Sequence, residues 1–165
     1  MDYNLYITCP RGLEDICNKE INEMGCFRTK TDRGGVFISG DLKDIYKINY
    51  LSRVGMHLLY KIDTFKSINE NSLYKSIYNI DWTRYLSYIQ TIAIKVKSTN
   101  SWVNNTHFAS LKVKDAIVDR MRDYSGRRPS IDTKDPDIPI EIYIKGDQCN
   151  VYLNTNGSPL FKRGY

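Results

Sequence analysis

The sequence has no uninterrupted apolar run near the roughly 18 residues that a membrane-spanning helix needs, so no membrane partner is expected. Its first residues, MDYNLYITCPRG, hold neither a basic leader nor a sustained apolar stretch, which makes a reducing, cytoplasmic location the expectation. Cysteine is sparse: Cys9, Cys17, Cys26 and Cys149 form neither a CxxC pair nor a zinc-ligand spacing. No metal site is expected, and the four side chains read as thiols. The two histidines are no better placed for chemistry. His57 falls in an apolar strand and His107 opens a helix beside Phe108, with no nucleophile and acid arranged around either. Gly34-Gly35 lacks the longer glycine pattern and the downstream Lys-Ser or Lys-Thr of a phosphate loop, and reads as a hairpin. Nor is there a glycine-rich strand-to-helix turn of the kind that holds a dinucleotide. No catalytic residue and no cofactor are therefore expected within this chain.

What is present describes a folded protein. A hydrophobic fraction of 41% and a charged fraction of 26% argue against disorder, and 165 residues suffice for one sizeable domain or two small ones. The net charge of +5 is modest but unevenly spread. Residues 1–66 carry ten Lys or Arg against nine Asp or Glu, and residues 67–165 carry fourteen against ten. A polyanionic partner, if there is one, belongs to the second half.

The apolar periodicity predicts β-α-β-β-α-β over the first 66 residues: a strand at Tyr3–Cys9, a helix over Arg11–Met24, extended segments at Phe27–Asp32 and Val36–Ser39, a helix over Asp41–Leu51 and a strand over Met56–Phe65. That order is a ferredoxin-like unit. Leu13, Ile16, Cys17, Glu20, Ile21 and Met24 recur at helical spacing in its first helix, and most of them are expected to form a core stripe. Further on, a helix near Asn71–Tyr78, a strand at Thr91–Lys97 and a long helix precede strands at Ile140–Ile144 and Val151–Leu153, which Gly146-Asp147 joins as a hairpin. Tyr3, Tyr6, Tyr46, Tyr60, Tyr143 and Tyr152 fall in these regular elements and read as partly buried rather than as a stacking array. Asn156-Gly157 supplies another turn, and the chain ends on Lys162-Arg163-Gly164-Tyr165 without a closing helix, as expected of a linker toward further sequence.

The long helix carries the most information. At 100° per residue, Val113, Ala116, Ile117, Met121 and Tyr124 form one stripe, Lys112, Asp115, Asp119 and Arg122 lie opposite, and Lys114 and Arg120 flank the stripe. Gly126 is the expected stop, and Arg127 and Arg128 follow it beside the negative end of the backbone dipole, with Pro129 restricting the loop. Lys112, Arg127 and Arg128 are phosphate candidates, and the same charges equally fit an ordinary solvated helix with a capped end. Two readings stay open for the rest: Lys114 and Arg120 contact phosphate or snorkel along the core edge, and Arg122 contacts phosphate or pairs with Asp119 or Asp115. In the preceding polar loop, Trp102 either stacks on an exposed ring of a partner or is buried, and Asn100 and Asn104 either contact the polyanion or shape turns.

Read together, TCPRGLE at Thr8–Glu14, GGVFISGDL at Gly34–Leu42, HFASLKVKDAIVDR at His107–Arg120 and the terminal SPLFKRGY resemble the front portion of bacterial rRNA large-subunit guanine-N2 methyltransferases, and the resemblance spans nearly the entire chain. It implies an α+β protein: a ferredoxin-like subdomain over residues 1–66, a THUMP RNA-binding domain over 67–158, and in 159–165 the start of a linker toward a methyltransferase domain that this chain does not contain. The Asn/Asp-Pro-Pro-Tyr signature of amino-directed methyltransferases is absent from the sequence. The resemblance further implies structured rRNA as partner and, for the separate catalytic domain, S-adenosylmethionine as cofactor. Lys112, Lys114 and Arg120, extended by Arg122, Arg127 and Arg128, are the RNA face it suggests. The rival reading is a protein-interaction module in which the same helix docks on a catalytic domain or another subunit.

Overall fold

A computed structural model describes residues 3–24, 28–41, 43 and 57–154. The expected helix over Asp41–Leu51, Cys26, and the final turn with its KRGY terminus lie outside those residues, apart from Asp41 and Lys43. The chain divides into two compact units, Met1–Ile62 with Asn154–Asn156, and Asp63–Leu153 with Gly157–Tyr165.

In the first unit, β1 (Tyr3–Thr8), α1 (Glu14–Met24), β2 (Arg28–Asp32), β3 (Gly35–Gly40) and the start of β4 (His57–Lys66) follow one another. The strand order is β2-β3-β1-β4, every pair antiparallel. Inserting β3 between β1 and β2 makes a split β-α-β, the expected ferredoxin-like arrangement. Alternation along the strands buries Leu5, Ile7, Val36, Ile38 and Leu58 on one face, against which α1 sets Cys17 and Ile21, one turn apart, while Leu59 is buried on the other face beside its cross-strand partner Tyr6. The stripe expected for α1 is thus wider than the observed one. Leu13 precedes the helix and is 37% exposed, and Ile16, on the flank, is 54% exposed. Gly35 faces the Tyr6 ring so closely that a Cβ there would lie 2.4 Å from it. Cys9 and Cys17 are buried free thiols, as is Cys149 in the second unit. Burial pushes the Cys17 thiol up to about 12, which leaves it protonated and inert.

Within the second unit the strand order is β8-β7-β5-β6, where β5 is Thr91–Thr99, β6 Ser130–Ile131, β7 Ile138–Lys145 and β8 Gln148–Asn154. β7 pairs parallel to β5 in continuous register from Ile92↔Ile138 to Thr99↔Lys145. A parallel neighbour needs a long crossover, and α3 (Thr106–Ser125) supplies it. The hairpin to β8 turns at Gly146, whose φ of 61° suits a two-residue loop. Ile138, Ile140, Ile142 and Ile144 alternate into the core, together with Ile92, Val96, Val151 and Leu153. From α3 come Ala109, Val113, Ala116, Ile117 and Met121, and from α2 (Glu70–Tyr78) Leu73 and Ile77. Tyr124, expected on the buried stripe, is instead 66% exposed. In the last turn of α3 its ring lies against the Arg120 guanidinium, 3.9 Å from the ring centre.

Candidate nucleic-acid interface

α3 is capped at both ends by its own sequence. The Asn105 side chain accepts from the Phe108 N–H at 3.0 Å, and Gly126, at φ 74°, closes the helix with its N–H on the Arg122 carbonyl at 2.8 Å. Between these caps the candidate cations divide into those already engaged and those presented.

Arg120 is engaged. Its Nη1 donates to the Tyr78 carbonyl at the end of α2, 2.9 Å away, and the guanidinium carbon lies 3.9 Å from the centre of the Tyr124 ring and 5.7 Å from that of Tyr78. This is the core-edge reading: Arg120 joins two helices, with its Nε buried. Arg122 donates to Asp119 at 3.0 Å and reaches Asp123 at 3.8 Å, the intrahelical pairing left open by the sequence. Lys114 pairs with its neighbour Asp115 at 3.0 Å. The acids have a second task. Tyr74 donates its hydroxyl to Asp119 at 2.5 Å and Tyr78 to Asp123 at 2.7 Å, a two-rung ladder between α2 and α3 with the phenol rings stacked 6.1 Å apart. That bond to Asp119 pushes the Tyr74 hydroxyl up to about 12 from its ordinary 10.0.

The shift has a pH consequence. A phenol harder to ionise when folded contributes stability that is present below about pH 10 and lost as pH climbs toward 12. Tyr74→Phe is expected to cost about 1 kcal/mol at neutral pH. It should also remove one phenol that titrates near 12 from a spectrophotometric alkaline titration, and an unchanged titration would refute the ladder.

The presented cations lie mostly at the C-terminal corner. Arg127 stacks over the Tyr88 ring, 4.7 Å from its centre, and Tyr88 is itself 43% exposed. Arg128 is exposed, with no ion pair among the described residues. Arg84, in the 3-10 turn at Trp82–Arg84, lies 5.9 Å from the Tyr85 ring. Lys112, half-buried and 6.0 Å from the Phe108 ring, likewise has no ion pair among the described residues. A stacked guanidinium keeps its donors in a fixed plane, which suits a two-point contact with phosphate. Tyr88 was not legible as a site residue, because it sits 39 positions before Arg127 in a segment without periodicity.

The polar loop behaves differently from a row of contacts. Trp102 is half-buried and donates its indole N–H to the Ser67 carbonyl at 3.0 Å. Asn100 adopts φ 48°, the left-handed turn conformation that asparagine tolerates. Asn104 is exposed. Among the described residues no group of three or more His, Cys, Asp or Glu is gathered as for a metal, and no helix is long and apolar enough to cross a membrane.

A ferredoxin-like unit followed by a mixed-sheet domain with one long crossover helix defines a two-part α+β module of the ferredoxin-like and THUMP type. The chain belongs to the THUMP-domain family: that domain's model matches residues 67–154, and the model of an RlmL ferredoxin-like domain matches residues 4–59. Proteins named ribosomal RNA large subunit methyltransferase K/L are similar to it over nearly its whole length. The protein of that name from Pseudomonas entomophila is 34% identical over 163 residues, 99% of this chain but 22% of its own length. A Synechocystis sp. protein named for RNA methyltransferase activity is 40% identical over 160 residues, 97% of this chain and 42% of that protein. A crystal structure from Listeria monocytogenes, of a protein named as an N6-adenine-specific DNA methylase, superposes with a TM-score of 0.83 at 26% identity, covering 96% of this chain and 41% of that one. The chain therefore spans less than half the length of each of these relatives.

Proposed function

We propose that this chain recognises structured rRNA and positions it for an S-adenosylmethionine-dependent 23S rRNA guanine-N2 methyltransferase, whose cofactor pocket and transfer chemistry reside outside it, in a cytoplasmic setting. The carrying observation is the corner that follows α3. Within the matched THUMP segment, Arg127 lies over the Tyr88 ring and Arg128 is exposed beside it in sequence, while Arg120, Arg122 and Lys114 are engaged internally. Of the cations named from the sequence, this leaves Lys112, Arg127 and Arg128 to meet phosphate. Names of relatives that specify rRNA favour RNA as the polyanion.

The competing reading, a surface that docks a catalytic domain or another subunit, has its own support in Ile89 and Ile131, 72% and 43% exposed near the same corner in sequence. Binding of the chain to a structured 23S rRNA fragment and to a scrambled control, across a salt series, separates the two. Three phosphate contacts predict that log K falls linearly with log salt at a slope of about −2 to −3, with the structured fragment preferred. A folded chain that ignores both RNAs would sink the RNA reading and favour docking.

A further inference from the structure

At the other end of α3 lies a cleft of about 160 Å³, lined by Glu70, Trp102, Asn104, Asn105 and Phe108 among others. It is smaller than the roughly 300 Å³ at which drug-sized ligand pockets begin, and so suits one planar ring rather than a whole cofactor. Its walls are chemically uneven. Phe108 exposes 45% of its surface although it sits in the first turn of a well-capped helix, and the Lys112 ammonium stands 6.0 Å from its ring, one turn further on. Trp102 forms a fixed wall, its indole N–H tied to the Ser67 carbonyl. The Asn105 side chain is committed to the helix cap, whereas Asn104 is exposed with no side-chain hydrogen bond among the described residues. Glu70 is half-buried, and its carboxylate makes neither a hydrogen bond nor an ion pair with any described residue. A carboxylate in the first turn of α2 complements the helix dipole wherever it points. That role does not require it to line a cleft beside an exposed phenyl ring and an unengaged amide.

We propose that the cleft holds one unpaired guanine of the bound RNA, with Glu70 reading its base edge, Phe108 stacking on its face and Lys112 meeting the adjoining phosphate. This deepens, and rests on, the RNA-recognition reading; the guanine held here is a recognition base and not the one modified. The chemistry selects the base. A carboxylate only accepts, and guanine presents two adjacent donors, N1–H and the N2 amino group, on its Watson–Crick edge. Adenine sets an acceptor beside its amino donor, and uracil flanks its single donor with two carbonyl oxygens. Single-stranded RNA is generally read in this way, with bases splayed onto aromatic side chains and bonded along their edges.

The test uses the whole chain with the pentanucleotides UUGUU, UUAUU and UUUUU, and 5′-GMP as the free-nucleotide arm. Trp102 lines the cleft, so its emission reports occupancy over the constant background of fully buried Trp82. UUGUU is expected to bind about tenfold tighter than UUAUU and to quench Trp102. Glu70→Gln should abolish the preference and leave UUUUU binding unchanged, and it should weaken structured-rRNA binding without altering its salt slope. Phe108→Ala, a truncation at an exposed position, should weaken UUGUU and UUAUU alike by about fivefold. Equal affinities for the three oligonucleotides, or a guanine preference that survives Glu70→Gln, overturn the assignment while rRNA binding leaves the broader reading standing. Loss of all RNA binding overturns both, and 5′-GMP binding as tightly as UUGUU assigns the cleft to a free nucleotide instead.

Discussion

Trp82→Ala is expected to lower the stability of the second unit by about 4 kcal/mol, the usual cost of truncating a fully buried large aromatic. Trp82 has no exposed surface, its Nε1 donates to the Ile77 carbonyl at 2.8 Å, and Tyr85 meets it edge-on at 6.4 Å. Truncation opens a cavity and takes away a hydrogen bond at the C-terminal end of α2. It also unsettles the turn Trp82–Arg84, where the backbone N–H groups of Tyr85 and Leu86 donate to the Trp82 carbonyl at 3.0 and 2.8 Å. Against typical domain stabilities of about 5–15 kcal/mol the loss is large. A drop of about 10 °C or more in the thermal midpoint should follow in circular dichroism. Trp82→Phe, which keeps most of the volume, should fall in between, and a midpoint within about 3 °C of the parent for Trp82→Ala would show that the ring is not a core element.

The second large effect concerns function. Arg127→Ala together with Arg128→Ala is expected to weaken structured-rRNA binding on the order of thirtyfold at moderate salt, taking about 1 kcal/mol for each lost charge-assisted contact. The loss should be uniform across RNA sequences. The slope of log K against log salt should become shallower by about 1.5, the mark of two phosphate contacts removed. Both side chains are exposed and follow the Gly126 cap, so the thermal midpoint should stay put and a folding defect would not explain the loss. Arg120→Ala is the instructive contrast. Its guanidinium is committed to the Tyr78 carbonyl and two tyrosine rings, so it should cost stability and leave the salt slope alone. An unchanged slope in the Arg127 and Arg128 double variant would remove the corner from the RNA face.

Much of the fold was legible because its signals are local. Alternation and the 3.6-residue period located the strands and α3, and Gly126 and Gly146 marked a helix end and a hairpin. Two features escaped for lack of a local signal. β6 is two residues long and exists through its parallel pairing with Thr91 and Ile92, reached only after the whole of α3. Tyr124 continued the apolar stripe in projection, but burial of a last turn depends on what lies above it, and there Arg120 occupies its ring. The candidate site divides in the same way. The pairing of Arg122 with Asp119 follows from a three-residue spacing and could be named beforehand. The partners of Asp119 and Asp123 lie 45 positions away on α2, and the support under Arg127 comes from a tyrosine in an irregular segment, so neither leaves a mark in the neighbouring sequence.

One consequence of α3 concerns length. Its twenty residues run between two firm caps, with the charged groups on its later flank balanced by pairing among themselves and with α2. At 1.5 Å per residue the basic corner and the opposite cap are held about 30 Å apart by a rod that cannot shorten. The helix is then a caliper: an RNA that touches both jaws is measured as well as gripped, and one too short to bridge them can satisfy only one end.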